Sequence, residues 1–246
     1  MLRTAAAVLF VVIYLIVSLP LMLVLYLVGR VKPKTAELIM LRIVQRAFRV
    51  VTAIAGTDVT VLGAEKIPGD EPVLYVGNHQ SFFDIVIGYS RVPGITGFVA
   101  KDNLKKVPLL NLNMMFLHCL FLDREDIRQG LETIKTAISY VKDDARSIFI
   151  FPEGTRNKGP ELPLMDFHRG SFKIAQRTGC RIVPVSFNNT AEILERHFPK
   201  LRRAKVVVEF GDPVLYRDLT REEQKQIDVY FCGVLTEMVR KNQELI

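Results

Sequence analysis

Cysteine is scarce in this 246-residue chain: Cys119, Cys180 and Cys232, none in a Cys-x-x-Cys spacing. That argues against a disulfide-stapled scaffold and a cysteine-built zinc site, and it suits a reducing compartment. No Gly-x-Ser-x-Gly occurs, so covalent acyl-enzyme chemistry lacks its usual nucleophile signal. The four histidines, His79, His118, His168 and His197, are scattered and no His-Glu-x-x-His occurs, which leaves a metal centre without support. No nucleic-acid motif and no low-complexity tract is present. Acid is nearly missing from the first 60 residues. They hold Glu37 and Asp58 against seven basic residues, whereas the rest of the chain carries 26 basic and 24 acidic residues. A nearly balanced domain therefore follows a basic leading segment, an asymmetry that points to an anionic surface.

What is present starts with an uncharged run. Residues 5–29 contain no charge in 25 positions. As a straight helix they would reach about 37 Å, against roughly 30 Å of bilayer hydrocarbon. Pro20 removes a backbone donor in the middle of it. A second helical segment follows Lys32-Pro33-Lys34, with Thr35 as its cap and Gly56 as its stop. Arg42, Gln45, Arg46, Arg49 and Thr52 fall on one stripe of it, and Leu38, Leu41, Val44, Phe48 and Val51 on the other. A basic amphipathic helix of this kind can lie in the headgroup layer. Residues 1–56 read as a two-helix membrane anchor. A kinked element immersed from one side is the first expectation and a true span the second.

Residues 57–246 alternate short apolar runs with amphipathic helices. Strands are expected at Val59–Leu62, Val73–Val76, Thr96–Ala100, Leu120–Leu122, Ser147–Phe151, Ile182–Phe187 and Val206–Phe210. Helices are expected from Ile127 to Val141 and from Ile227 to Met238, the latter behind the capping box Thr220-x-x-Glu223. This pattern predicts one α/β domain with a largely buried mixed sheet flanked by helices.

Three clusters carry chemistry. Val73–Val76 runs into Gly77-Asn78-His79-Gln80-Ser81-Phe82-Phe83-Asp84. His79 and Asp84 can meet only if His79 stays in the loop while Asp84 occupies the first helical turn, as Ser81-x-x-Asp84 suggests. Asp84 would then fix the imidazole tautomer and leave the other ring nitrogen as a base. Alternatively, Asp84 merely satisfies the first amides of its own helix. A second strand opens into Pro152-Glu153-Gly154-Thr155-Arg156. Gly154 lets backbone amides approach an anion, Arg156 suits phosphate, and Glu153 can accept from hydroxyls; a plain turn with an Arg–Glu pair is the other reading. The third cluster is Phe121-Leu122-Asp123-Arg124, preceded by Lys101 and by an uncharged stretch whose Met114, Met115 and Phe116 could line a hydrocarbon slot.

These elements, with Ile182-Val183-Pro184-Val185-Ser186-Phe187, stand in an order that resembles the glycerolipid acyltransferase family, most of all the 1-acylglycerol-3-phosphate (lysophosphatidate) acyltransferases. The resemblance covers about residues 57–215. It implies direct acyl transfer from a thioester on coenzyme A or acyl carrier protein to the sn-2 hydroxyl of lysophosphatidate, without a cofactor or nucleic acid, at the cytoplasmic face of the inner membrane. His79 would be the general base and Asp84 its orienting partner. Arg124 would bind the acceptor phosphate, with Lys101 as a further contact. Glu153 and Arg156 would hold glycerol and phosphate, with Gly154 and Thr155 shaping the loop, and Val183-Pro184-Val185 would line the acyl site. Glycerol-3-phosphate or another lysolipid is an alternative acceptor, and thioester hydrolysis or non-catalytic lipid binding are alternative functions.

Overall fold

Central strands of a parallel sheet are covered on both faces, so they read as unbroken apolar runs. In the computed structural model, which describes residues 1–123 and 126–246, those runs form the middle of one mixed sheet. Its strands are β1 (Asp58–Leu62), β2 (Val73–Gly77), β3 (Thr96–Lys101), β4 (Leu120–Leu122), β5 (Ser147–Ile150), β6 (Arg181–Asn188), β7 (Lys205–Phe210) and β8 (Val214–Leu215). The spatial order is β1-β7-β6-β2-β5-β3-β4. From β6 to β4 every pairing is parallel; β7 joins β6 antiparallel, and β1 lies parallel to β7. The two-residue β8, which is too short to show any period, pairs antiparallel with the start of β6.

The helices include those expected over residues 1–56 and from Ser81, Ile127 and Ile227, along with short ones that the periodicity does not predict. They are α1 (Leu2–Gly29), α2 (Pro33–Ala55), α3 (Phe82–Tyr89), α4 (Leu110–Phe116), α5 (Ile127–Lys142), α6 (Lys173–Thr178), α7 (Arg221–Lys225) and α8 (Ile227–Asn242). α1 continues through Pro20. α2 begins at Pro33 rather than after Thr35, because proline's fixed φ and missing N–H suit the first helical position. It ends as expected at Gly56, whose φ of +75° is the left-handed cap. The Thr220–Glu223 capping box caps the short α7, and the longer α8 starts separately at Ile227.

Alternation along the strands divides the core into two layers. Val73 and Tyr75 of β2, Phe149 of β5, and Val183, Val185 and Phe187 of β6 pack with Met40, Leu41 and Val44 of α2 and with Phe83 and Ile87 of α3. Leu74, Val76, Ile148, Ile150 and Ile182 pack instead with Ala137, Ile174, Phe231 and Leu235 of α5, α6 and α8. A row of rings crosses the first layer: Phe98 stacks on Phe149 at 4.5 Å, and Phe149 on Tyr75 at 5.5 Å.

The polar stripe of α2 does not simply face outward. Gln45 Nε2 donates to the carbonyls of Tyr89 and Val92, and Arg49 to that of Ser90. The helix thereby satisfies acceptors at the C-terminal end of α3. α1 runs back along α2 and touches the body repeatedly. Tyr14 Oη donates to Asn113 Oδ1 of α4 at 3.1 Å, Asn113 Nδ2 donates to Ser18 Oγ at 3.2 Å, and the Leu201 N–H donates to Thr4 Oγ1 at 3.0 Å. α4 is thus one of the surfaces on which α1 docks. Met115 is 56% exposed, and neither it nor Met114 or Phe116 lines the cleft described below. The Val183-Pro184-Val185 segment is likewise central strand, with both valines fully buried, and does not line that cleft.

Just past β2, the fully buried Asn78 donates from Nδ2 to the Phe187 carbonyl at 2.9 Å and accepts the Phe187 N–H at 2.8 Å. It thereby splices the loop after β2 to β6. Asn78→Ala would leave two buried backbone groups unpaired and should cost about 2–4 kcal/mol, measured by urea unfolding.

Candidate active site

Parallel strands deliver their C-terminal ends to one edge of the sheet, where α/β proteins place ligands. The loops after β2 and β5 and the end of β3 meet there. Ser81 caps α3, its hydroxyl accepting the Phe83 N–H at 3.0 Å, and Asp84 is the third helical residue. His79 remains in the loop, so the two side chains converge despite their separation in sequence. Nδ1 of His79 lies 2.8 Å from Asp84 Oδ2. A carboxylate oxygen with this geometry accepts, so Nδ1 carries a hydrogen, and in the neutral ring the lone pair is then on Nε2. No hydrogen-bond partner for Nε2 exists among the described residues.

Asp84 is wholly buried. Its Oδ2 also accepts the N–H groups of Gln80 at 2.7 Å and Ser81 at 2.8 Å, and its Oδ1 accepts the Thr190 hydroxyl at 2.5 Å. The helix-capping role and the imidazole-orienting contact are therefore made by one carboxylate. The imidazole stacks on Phe151 at 4.2 Å, and Phe151 packs against Phe149, so the ring row of the core reaches the site.

Glu153 does not reach the cleft. Its Oε1 accepts the backbone N–H of His79 at 2.6 Å, and its Oε2 accepts that of Met165 at 3.2 Å. The Asn157 N–H closes the arrangement on the His79 carbonyl at 2.7 Å. The carboxyl, expected to hold substrate, thus ties the two loops together from behind. Burial pushes it up to about 7, against the pull of the two amides. Gly154, at φ +70°, turns the chain in a conformation that a side chain would strain, and it brings Thr155 and Arg156 to the front.

The front is a cleft of about 740 Å³. Its lining includes His79, Lys101, Gly154, Thr155 and Arg156, so five of the eight residues singled out from the sequence share it. Arg124 lies outside the described residues; its neighbour Asp123 is on the cleft wall. Sequence reasoning missed three cations that also line it, Lys158, Arg169 and Lys173, because isolated basic residues in loops carry no pattern. It also missed Glu195. That carboxylate accepts from the Ser81 hydroxyl at 2.5 Å, the Phe82 N–H at 2.8 Å and Arg156 Nη1 at 2.9 Å. Arg156 additionally lies over the Phe82 ring at 4.0 Å, so its guanidinium is held from two sides. Apolar walls come from Leu104, Leu122, Leu131 and Ile134. His118 is not on the cleft wall; its Nε2 lies 2.9 Å from Glu37 of α2.

A buried carboxyl that binds its proton more readily folded than unfolded stabilises the fold at low pH and loses that contribution as pH rises. For Glu153 the window runs from its ordinary 4.5 to about 7. The urea midpoint should fall across it, and Glu153→Gln should flatten the fall while costing about 1–3 kcal/mol at the acid end, where its amide would face the Met165 N–H.

A family model described as Acyltransferase matches residues 58–188. A 1-acyl-sn-glycerol-3-phosphate acyltransferase of Saccharomyces cerevisiae is 33% identical over 177 residues, 72% of this chain and 58% of that protein. One from Haemophilus influenzae is 28% identical over 185 residues, 74% of this chain and 75% of that protein. The chain spans little more than half the length of the yeast relative and of a Borreliella burgdorferi relative that is 35% identical over 137 residues. The fold matches the crystal structure of the 1-acyl-sn-glycerophosphate (LPA) acyltransferase PlsC from Thermotoga maritima, with a TM-score of 0.80 at 23% identity over 98% of this chain and 95% of that one.

Proposed function

The chain belongs to the acyltransferase family, and from that premise we propose that it moves a fatty acyl chain from a thioester of coenzyme A or acyl carrier protein to the sn-2 hydroxyl of lysophosphatidate, giving phosphatidate. The observation that carries this reading is an imidazole, oriented by a buried carboxylate, on the wall of a cleft that also holds Lys101, Arg156, Lys158, Arg169 and Lys173. A phosphate-bearing acceptor needs such cations, and its hydroxyl needs the base. The yeast, H. influenzae and B. burgdorferi relatives carry the name of this activity.

In the proposed step the acceptor oxygen attacks the thioester carbonyl carbon while its proton passes to His79 Nε2. Asp84 stabilises the imidazolium that forms. The tetrahedral adduct then expels the thiolate, which takes the proton and leaves as a thiol. Arg156 and the neighbouring cations hold the phosphate, and the apolar wall formed by Leu104, Leu122, Leu131 and Ile134 takes hydrocarbon. Positioning of two bound reactants contributes up to roughly 7–11 kcal/mol in favourable intramolecular systems, more than the base alone.

We read α1 and α2 as the membrane attachment, at the cytoplasmic face of the cell membrane. α1 is long and apolar enough to cross a bilayer, and most of its large apolar side chains are exposed. Its bonds to Leu201 near one end and to Asn113 in the middle favour a helix lying along the body and immersed from one side. A span would have to break them.

Two outcomes are expected. Purified full-length protein, given lysophosphatidate and each acyl carrier, should form phosphatidate. His79→Ala should lower that rate by about 10²–10⁴-fold and leave vesicle flotation unchanged. Release of free fatty acid with no acylated lipid would favour hydrolysis instead. In sealed vesicles, protease added from outside should reach both termini of chains bound from that side; a protected N-terminus beside an accessible C-terminus would establish a span.

A further inference from the structure

We propose that the 194–203 loop, centred on Phe198, is a second membrane contact that docks on an anionic bilayer surface. The proposal rests on the membrane attachment read above and adds a site to it. Phe198 is 77% exposed, an unusual position for a phenylalanine in a well-fastened loop. The loop is fastened by backbone bonds from Lys200 N–H to the His197 carbonyl at 2.8 Å and from Arg202 N–H to the Ile193 carbonyl at 2.9 Å. The ring is therefore presented rather than left loose.

The charge left unpaired on the loop is positive. Lys200, Arg202 and Arg203 are exposed and make no ion pair among the described residues. The nearby acids are already engaged. Glu192 pairs with Arg196 at 3.0 Å and His197 at 2.9 Å, and Glu195 faces Arg156 and the start of α3. An exposed aromatic ring among unpaired cations suits the boundary of an anionic leaflet, where the ring enters the acyl boundary and the cations meet headgroups.

Position favours a bilayer over a soluble acidic partner. The loop is continuous with the apolar anchor: Leu201 bonds to Thr4, and the side chains of Arg203 and Arg3 converge beside Gly56, where α2 ends. Leu2, in the same turn of α1 as Arg3, is 86% exposed. Phe198, Leu194 and Arg196 also wall a cavity of about 370 Å³ that shares Phe82, Arg156 and Lys158 with the catalytic cleft. Docking of the loop would set that cavity against lipid, giving an amphipathic acceptor a route to the cations without crossing water.

The chain contains no tryptophan, so Phe198→Trp places a single reporter in the full-length protein. Its emission should shift to shorter wavelength on vesicles of phosphatidylcholine and phosphatidylglycerol in equal parts. Brominated lipid chains should quench it several-fold more than they quench Val229→Trp, which reports from the exposed side of α8 beyond the opposite face of the sheet. Lys200→Gln with Arg202→Gln in the same background should require several-fold more phosphatidylglycerol for the same shift, with transfer in detergent micelles unchanged. Flotation separates the two possible failures. A protein that floats while its indole keeps a water-exposed spectrum overturns the loop contact alone. A protein that does not float overturns the attachment and the loop contact together. A shift on adding an acidic carrier protein, with none on vesicles, also overturns the proposal.

Discussion

The Asp84 carboxylate is out of contact with water, and a charge in that position is costly unless donors surround it. Four do: the imidazole of His79, the amides of Gln80 and Ser81, and the hydroxyl of Thr190. These donors belong to three different structural tasks. The amides start α3, Thr190 comes from the segment after β6, and His79 closes the loop after β2. Removing the carboxylate would therefore loosen the helix start and free the ring at once. The same economy holds at Glu153, which spends its oxygens on the backbone of His79 and Met165 and thereby fixes how the glutamate–arginine loop stands beside the imidazole.

Positive charge is arranged around this pair by a strand end, a helix start and the loops between elements. Lys101 ends β3, Arg156 and Lys158 follow β5, and Arg169 and Lys173 lie at the start of α6. Arg156 is the most constrained of them. Its contact with Glu195 is partly exposed and so contributes little stability, but together with the Phe82 ring it fixes the direction of the guanidinium. A fixed fork can select a tetrahedral anion, whereas the exposed Lys101 supplies charge without direction.

Much of this was legible in residue order. The buried parallel strands announced themselves because both faces are covered, and Ser81-x-x-Asp84 announced the start of α3 because capping is local chemistry. What could not be read was set by distant packing. The carboxyl of Glu153 points backward because the His79 and Met165 amides await it there, which no spacing reveals. Glu195 is 111 residues beyond Asp84 and meets Arg156 and Ser81 only through the sheet crossover. The stripe of α2, legible as basic, turned out to serve the carbonyls at the end of α3 through Gln45 and Arg49. Met114, Met115 and Phe116 suggested a hydrocarbon slot by composition, yet the fold uses their neighbour Asn113 to hold α1.

In the proposed mechanism Asp84 contributes a negative charge to a proton-accepting imidazole, beyond holding it in place. Asp84→Asn separates the two contributions. Its amide oxygen can keep the three contacts made by Oδ2, and its NH2 can donate to Thr190, so orientation and tautomer survive while the charge is lost. Steady-state kinetics of this variant with lysophosphatidate should show kcat reduced by about a hundredfold or more, with KM for the acceptor within about twofold of the parent. An unchanged kcat would contradict the claim.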